Sequence, residues 1–393
     1  MKLAVAGVGT TPVTRKPAAP LADAVAQTCR AALADAGIPA ADVDGVFVTP
    51  PRLSADSWMM YCAYIAEYLG FETKSLVQVQ NGGASALLAM RAAMDAVALG
   101  RCRVALVIAS DDRPLMDLHH LQSFVRRSVI GTTGLYGPVN GLFGFGAPVP
   151  FYAMSHQRYL YEHDVSEADV AEVSVRLREH ASHHPLAQFR DPITVEDVLA
   201  SEYVSPPIRL LQAAGISTGV AVAVITCAEV ALETGRPTVL IRGYGEHHHP
   251  SHFAPRRGAL TSFPAVRAAA AQAFDEAECA VTDIDVAEIY GVFGATECIV
   301  YEDMGFCAPG AATHFIKEGR STVGGDVVIN PTGGRISFGH PAGATPLYEV
   351  AEIVRQLRGE APGIQVEGAQ LGLVQAEHGM NNGVVVAILE RAA

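Results

Sequence analysis

The sequence predicts an α/β fold built from two similar βαβ-type halves, with a long insertion in the first. Three observations carry that expectation. Four elements recur in the same order, a Gly-rich segment opens a helix in each half, and the alternation of strands and helices breaks between Arg113 and Pro207.

In the first half, Leu3 to Val8 is an apolar run of strand length. An Ala-rich helix follows from Ala22, then the turn Asp42-Val43-Asp44 and a strand from Gly45 to Val48. The second half repeats this with a strand from Thr238 to Gly243, an Ala-rich helix from Ala265, the turn Asp283-Ile284-Asp285 and a strand from Val286 to Tyr290. A later pair also corresponds. Asn81-Gly82-Gly83-Ala84-Ser85 opens an amphipathic helix through Leu99, followed by a strand from Val104 to Ala109. Gly339-His340-Pro341-Ala342-Gly343 opens a helix through Leu357, followed by apolar Leu371 to Val374. Apolar strands alternating with helices of this length form sheets buried between helices. Chance likeness of Ala-rich helices does not account for four elements matching in one order. The expected division is therefore 1–235 and 236–393, with an insertion at about 113–207. The insertion carries Gly/Pro/Phe-rich text from Gly131 to Pro150. Helical stretches follow, at Tyr152 to His163 and Ala168 to His180. An excursion this long inside a compact unit is functional more often than a mere connection.

A chain of 393 residues, 50% of them hydrophobic, can bury a large core in two domains or one duplicated domain. The net charge of −13 excludes a nucleic-acid binder, which needs clustered Lys and Arg. The pairs Arg126-Arg127 and Arg256-Arg257 suit only the phosphates of a small anion. No apolar run approaches the roughly 20 residues of a membrane span, and Lys2 to Gly9 reads as a strand, not a signal peptide. Seven scattered cysteines lack C-x-x-C spacing, as expected of a reducing cytoplasm. The run His247-His248-His249-Pro250-Ser251-His252 reads as a solvated or substrate-lining loop, since adjacent histidines cannot all face one ion; no metal is expected. His119-His120 and His183-His184 read as exposed loop residues, Asp111-Asp112 as a strand end, and Trp58-Met59-Met60-Tyr61 as helix core or a dimer face.

The stretch from Asn330 to Thr345 carries the chemistry. Four glycines after Pro331-Thr332 let the backbone turn tightly and let a ligand approach the main chain. Pro341 suits the first turn of a helix, which sets His340 at its mouth. This text resembles the N-x-x-G-G…G-H-P-x-G-A-[ST] signature of the thiolase superfamily, whose histidine belongs to the catalytic centre. In the insertion, Asp164-Val165-Ser166-Glu167, His183-His184-Pro185-Leu186-Ala187 and the segment from Ile193 to Leu199 resemble the loop domain of sterol-carrier-type thiolases, which covers the active site and binds coenzyme A. The resemblance spans nearly the whole chain. It implies a thiolase fold in five layers, α-β-α-β-α, a coenzyme A thioester as substrate and no permanently bound cofactor. It also implies a homodimer paired near Leu76 to Gln80, an apolar edge that would be a liability if uncovered.

The family's nucleophile is a cysteine at a helix N-terminus, where the dipole favours a thiolate. The matching position here is Gly83. Cys62 and Cys102 read as packing residues. Ser85 is a possible substitute, but a serine needs a positioned base, and its ordinary reading is a small residue in a first helical turn. Where sterol-carrier thiolases carry His-Asp-Cys-Phe, this chain has Tyr290-Gly291-Val292-Phe293, and the text from Glu302 to Cys307 still resembles the family. Glu377-His378-Gly379-Met380-Asn381-Asn382-Gly383 stands at the Gly-rich oxyanion loop, with His378 similar to the histidine of a His-Asn-x-Gly loop. The resemblance thus implies Tyr290, His340 and His378 as catalytic residues. Gly82, Gly83, Gly339, Gly343 and Gly379 fall in the Gly-rich loops, with Asn330 and Tyr348 as further candidates.

Without a thiolate, acyl-cysteine thiolysis is not expected. Retro-aldol cleavage of a β-hydroxyacyl-CoA needs only a base for the hydroxyl and donors for the thioester enolate. The chain resembles the steroid side-chain aldolases among thiolase-like lipid-transfer proteins. They lack the cysteine, carry tyrosine at the Tyr290 position and act with an OB-fold/zinc-ribbon partner; some carry tyrosine where His340 stands here. Two other readings stay open: an acyltransferase with an unusual nucleophile, and a silent acyl-CoA-binding subunit. Retention of His340 and its loop favours catalysis, and Phe143, Phe145 and Phe151 suit a bulky apolar acyl chain.

Overall fold

The computed structural model describes residues 1–51, 60–112, 148–249, 260–379 and 381–392. Trp58, Met59, His119, His120, Arg126, Arg127, Phe143, Phe145, Pro250, Ser251, His252, Arg256 and Arg257 lie outside the described residues.

Runs of β-branched residues and alanine form the strands of a ten-stranded sheet: β1 (Leu3–Thr10), β2 (Gly45–Thr49), β3 (Ser75–Gln78), β4 (Val104–Asp111), β7 (Gly219–Cys227), β8 (Val239–His248), β9 (Val286–Ile289), β10 (Val328–Ile329), β11 (Leu371–His378) and β12 (Gly383–Arg391). A separate hairpin joins β5 (Tyr203–Ser205) to β6 (Ile208–Arg209). The sheet order is β10-β9-β11-β12-β8-β1-β7-β4-β2-β3. Read outward from the antiparallel β1/β8 contact, each side shows two antiparallel pairings followed by two parallel ones.

The same packing device recurs in both sides. A side chain on Gly7 would come within 2.5 Å of the Ala36 nitrogen in α1 (Leu21–Ala36). One on Gly245 would come within 2.8 Å of the Ala273 nitrogen of a later helix, Pro264–Ala277. Glycine in the strand and alanine in the helix let the two backbones approach closely.

The remaining helices are α2 (Tyr61–Leu69), α3 (Ser85–Ala98), α4 (Val149–His163), α5 (Glu167–Ser182), α6 (Val195–Ala200), α7 (Ala228–Glu233), α8 (Pro264–Ala277), α9 (Gly294–Met304), α10 (Ala312–Lys317), α11 (Gly334–Ser337) and α12 (Thr345–Arg358). One apolar cluster holds Leu87 and Met90 of α3 with Leu347 and Val354 of α12 against Val107, Ala223, Val374 and Val385. A second buries α1 on the far face of the first strands, and a third buries α8 and α9 on the far face of the later ones. With the ten strands divided at the β1/β8 contact, the layers are helix, half-sheet, paired helices, half-sheet, helix, as the resemblance implies.

Both central helices begin one turn later than the motifs suggest. A 3-10 turn, Gly82–Ala84, precedes α3 at Ser85, and another, Ala342–Ala344, precedes α12 at Thr345. Pro341 stands before that second turn with ψ of 54°, and the proline in the first helical turn is Pro346. The two 3-10 turns pack against each other, as do α3 and α12.

In the inserted segment, Ser166 and Asp169 form a reciprocal cap that starts α5, which gives the Asp164 to Glu167 step its physical meaning. Two histidine expectations fail. His184 is buried, at 1% exposure, because the chain after α5 folds back over α12; its Nδ1 accepts from the Leu186 N–H and its Nε2 lies 3.3 Å from Glu352 Oε2. His247 and His248 are not in a loop: β8 runs through them, pairing with Val384 and Gly383 of β12. Among the described residues no helix is long and apolar enough to cross a membrane.

Candidate active site

Tyr290 is the first residue beyond β9, and its backbone is held on both sides. Its N–H meets the Gln375 side-chain oxygen at 3.0 Å, while the preceding Ile289 N–H donates to Asn330 Oδ1 at 2.7 Å. Asn330 adopts the left-handed φ of 54° and donates through Nδ2 to the Glu297 carboxyl at 3.1 Å. A side chain on Gly291 would overlap that carboxyl. Asn330 is thus a strut under Tyr290, fully buried.

The Tyr290 hydroxyl lies 3.3 Å from His340 Nε2, with the rings edge-on at 5.3 Å and 82°. His340 is fixed in turn. Its N–H donates to Ser217 Oγ at 3.0 Å, its carbonyl accepts the Ser217 N–H at 3.1 Å, and Nδ1 lies 2.9 Å from Thr345 Oγ1. Gly339 before it holds φ of 109°, a conformation that favours glycine. The result is a chain from Thr345 through the imidazole to the phenol.

Gly83 lies directly beneath that phenol. A Cβ built there would come within 2.6 Å of Tyr290 Cζ, closer still to the hydroxyl oxygen, and within 2.6 Å of the Glu377 carbonyl. The space a side chain at position 83 would occupy is filled by the tyrosine.

Ser85 is fully buried; its Oγ accepts from the Asn81 N–H and donates to the Gly82 carbonyl, both at 2.7 Å, so its hydroxyl braces the turn before α3. Gly82 holds φ of 56°. The Gly343 N–H is donated to Asp111 Oδ2 at 3.2 Å, which ties the strand end of β4 to the His340 loop. Gly379 turns the chain at φ of 59°, and its neighbour Asn382 bonds to the His249 backbone.

His378 lies against the first Gly-rich turn: a Cβ built on Gly82 would come within 3.1 Å of His378 Cβ. Its ring stacks on His248 at 5.4 Å and 5°, over Gly383. Burial, and then the neighbouring His248, pull its pKa down to about 4, so the ring is neutral near pH 7. The Tyr348 hydroxyl donates to the Thr11 carbonyl at 3.0 Å.

Two residues that motif reading missed stand beside the pair. Glu377, at 6% exposure, accepts the Tyr152 hydroxyl at 2.7 Å, and the Tyr152 ring packs on Phe293 at 5.0 Å. Strand alternation puts Glu377 and His378 on opposite faces of β11. The sequence holds that alternation but not which face meets Tyr290.

Below the site, Glu288, Glu297 and Glu349 share one guanidinium, Arg335, all with no exposure. Arg335 lies 3.2 Å from Glu288 and 3.2 Å from Glu349, the second pair being close but poorly aligned for a hydrogen bond. Burial raises Glu288 to about 7 and Glu297 to about 8, with Arg335 opposing in each. Glu349 is raised well above the carboxylate range, also by burial. A cleft of about 610 Å³ lies elsewhere, lined by Met154, Gln157, Arg158 and Tyr161. By helical spacing this is the face of α4 opposite Tyr152, and neither Tyr290 nor His340 lines it.

Residues 245–391 match the family described as thiolase C-terminal domain-like. The chain is 32% identical to an acetyl-CoA acetyltransferase of Methanothermobacter thermautotrophicus, over 94% of each chain. It is 28% identical to the 17-hydroxy-3-oxo-4-pregnene-20-carboxyl-CoA lyase of Mycobacterium tuberculosis, over 96% of each. Among solved structures it is similar to an Ltp2-ChsH2(DUF35) aldolase, with a TM-score of 0.85 and 27% identity over 99% of this chain and 98% of that one.

Proposed function

This chain belongs to the thiolase superfamily, and from that premise we propose that it is a carbon–carbon lyase performing retro-aldol cleavage of a β-hydroxyacyl-CoA. The observation that carries the reading is the Tyr290 phenol lying over Gly83 and against His340, where acyl-cysteine chemistry would need a sulfur. In the proposed step the β-hydroxyl gives its proton to the Tyr290–His340 pair and becomes a carbonyl. The Cα–Cβ bond breaks, its electron pair forms the thioester enolate, and a proton returned to Cα releases a shortened acyl-CoA. Thr345 holds the imidazole against the phenol, so proton transfer has a pre-set path.

His378, stacked on His248 and neutral, is in this reading a wall of the oxyanion loop beside Gly379. Backbone donors near Gly82, Gly83 and Gly339 would meet the enolate oxygen, while Gly343 already serves Asp111. Ser85 has its hydroxyl committed, which weighs against an acyltransferase using it as nucleophile. The mirrored strand order supports a division at 235/236, with an inserted segment at about 113–207 in the first half.

The proposed partners are the acyl-CoA, a second copy of the chain and an OB-fold/zinc-ribbon protein. The edge strand β3 exposes Leu76 and Val77 at 39% and 36%, which supports edge pairing between copies. The similar aldolase is named for two components. Seven free thiols agree with a cytoplasmic setting.

The test is cleavage of a β-hydroxyacyl-CoA to a carbonyl product and a shortened acyl-CoA, with any required partner present. Tyr290→Phe is expected to lower turnover by roughly two to four orders of magnitude, with acyl-CoA binding little changed. Full activity in both Tyr290→Phe and His340→Ala would overturn the assignment.

A further inference from the structure

Glu377 has both carboxylate oxygens committed to fixed donors. Oε1 accepts the Tyr152 hydroxyl at 2.7 Å and Oε2 accepts the Asn381 N–H at 2.8 Å. Asn381 is buried and holds φ of 61°, a left-handed conformation that asparagine adopts more readily than most L-residues. The carboxylate is what the turn has to grip. The carbonyl of the same Glu377 is the wall that, with the Tyr290 phenol, fills the space above Gly83. A shift of Glu377 therefore moves the site boundary and the oxyanion turn together.

Tyr152 reaches this point from α4, 225 residues away in the chain. It grips a second element as well, since its ring packs at 5.0 Å on Phe293, three residues beyond Tyr290. Burial, and after it the Glu377 carboxylate, raise the Tyr152 phenol well above its ordinary range, so it stays a proton donor. One side chain of the inserted segment thus holds both loops that face each other across the site.

We infer that Tyr152 and Glu377 form a latch by which the inserted segment sets the geometry of the Tyr290–His340 pair, with both acting as positioning residues; this rests on the lyase reading above. Neither needs to touch the reacting atoms. The latch transmits the seating of α4, whose opposite face lines the 610 Å³ cleft, to the turn from Gly379 to Asn382.

The experiment compares Tyr152→Phe, Glu377→Gln and the double variant, with any required partner present. Tyr152→Phe keeps the ring on Phe293 and removes only the donor. Each single change is expected to lower kcat on a β-hydroxyacyl-CoA by about 10- to 100-fold, while KM and the affinity for an uncleavable saturated acyl-CoA move by less than about threefold. The double variant should lose far less than the product of the two single losses, because both changes act on one hydrogen-bonded unit centred on Glu377. Amide exchange across 377–383 should quicken in Tyr152→Phe, with β12 beyond Val384 unchanged. Wild-type kcat in Tyr152→Phe, multiplying losses in the double variant, or unchanged exchange would each overturn the latch. If the wild type cleaves no β-hydroxyacyl-CoA, the lyase reading falls, and the exchange measurement alone decides the latch.

Discussion

Adding a single methyl group at Gly83 tests the claim that the tyrosine occupies this space. In Gly83→Ala the new carbon would come within 2.6 Å of Tyr290 Cζ and within 2.6 Å of the Glu377 carbonyl oxygen. Comfortable carbon contacts begin at about 3.5 Å, so something must move by roughly 1 Å. The Glu377 carbonyl belongs to β11, paired at this residue with Val384 of β12, and Glu377 is anchored through both carboxylate oxygens. The phenol is the freer of the two. Overpacking of this kind costs about 1–3 kcal/mol. A 1 Å displacement of Tyr290 from His340 should lower turnover about 100-fold. The assay pairs thermal denaturation with β-hydroxyacyl-CoA cleavage, and adds Tyr290→Ala and the double variant to complete a cycle. Removing the phenol relieves half of the clash, so Gly83→Ala should cost less stability in the Tyr290→Ala background by about 0.5–2 kcal/mol. A Gly83→Ala protein with wild-type Tm and turnover, or strictly additive costs in the cycle, would refute the reasoning. Gly83→Cys should likewise fail to accumulate an acyl-enzyme while Tyr290 is present.

Three further outcomes follow from the buried groups. Glu297 and Glu288 keep their protons in the folded chain at pH values where the unfolded chain has lost them, because burial raises them to about 8 and about 7 from 4.5. The folded state then binds more protons between about pH 4.5 and 8, and stability falls as pH rises through that window. Glu297→Gln should match wild type near pH 5 and exceed it near pH 8.5 by on the order of 2–4 kcal/mol; parallel curves of Tm against pH would contradict this. On the acid side, burial lowers His156 to about 4, and burial with His248 lowers His378 to about 4, so both favour the folded state above pH 6.5 and lose that contribution as pH falls toward 4. Iodoacetamide at neutral pH should leave turnover unchanged, because burial raises Cys29 and Cys307 to about 12 and Cys102 to about 11, and no thiol stands at position 83. Loss of activity with protection of one cysteine by a substrate analogue would revive the covalent reading.

Local signals determined much of this protein. Strands follow β-branched runs, and the duplicated order of elements is written in patterning that depends only on neighbours a few residues apart. Gly7 and Gly245 mark the same helix–strand approach in both sides, a repeat visible as glycines in matching strands. The absence of sulfur at Gly83 and the presence of Tyr290 and His340 are likewise facts of the chain alone.

What tertiary structure decided is where those groups point and what they meet. Nothing near Gly83 in sequence says that a phenol from 207 positions later lies over it. Glu377 reads in sequence only as part of a Gly-rich loop, yet it accepts a hydroxyl from Tyr152, 225 positions away. His184 looked exposed because its neighbours are polar, yet the return of the chain over α12 buries it against Glu352. His247 and His248 looked like a loop because β8 owes its last residues to pairing with β12, not to propensity. Local chemistry selects the elements; contacts between residues hundreds of positions apart select the site, because burial and hydrogen bonding are properties of the assembled fold.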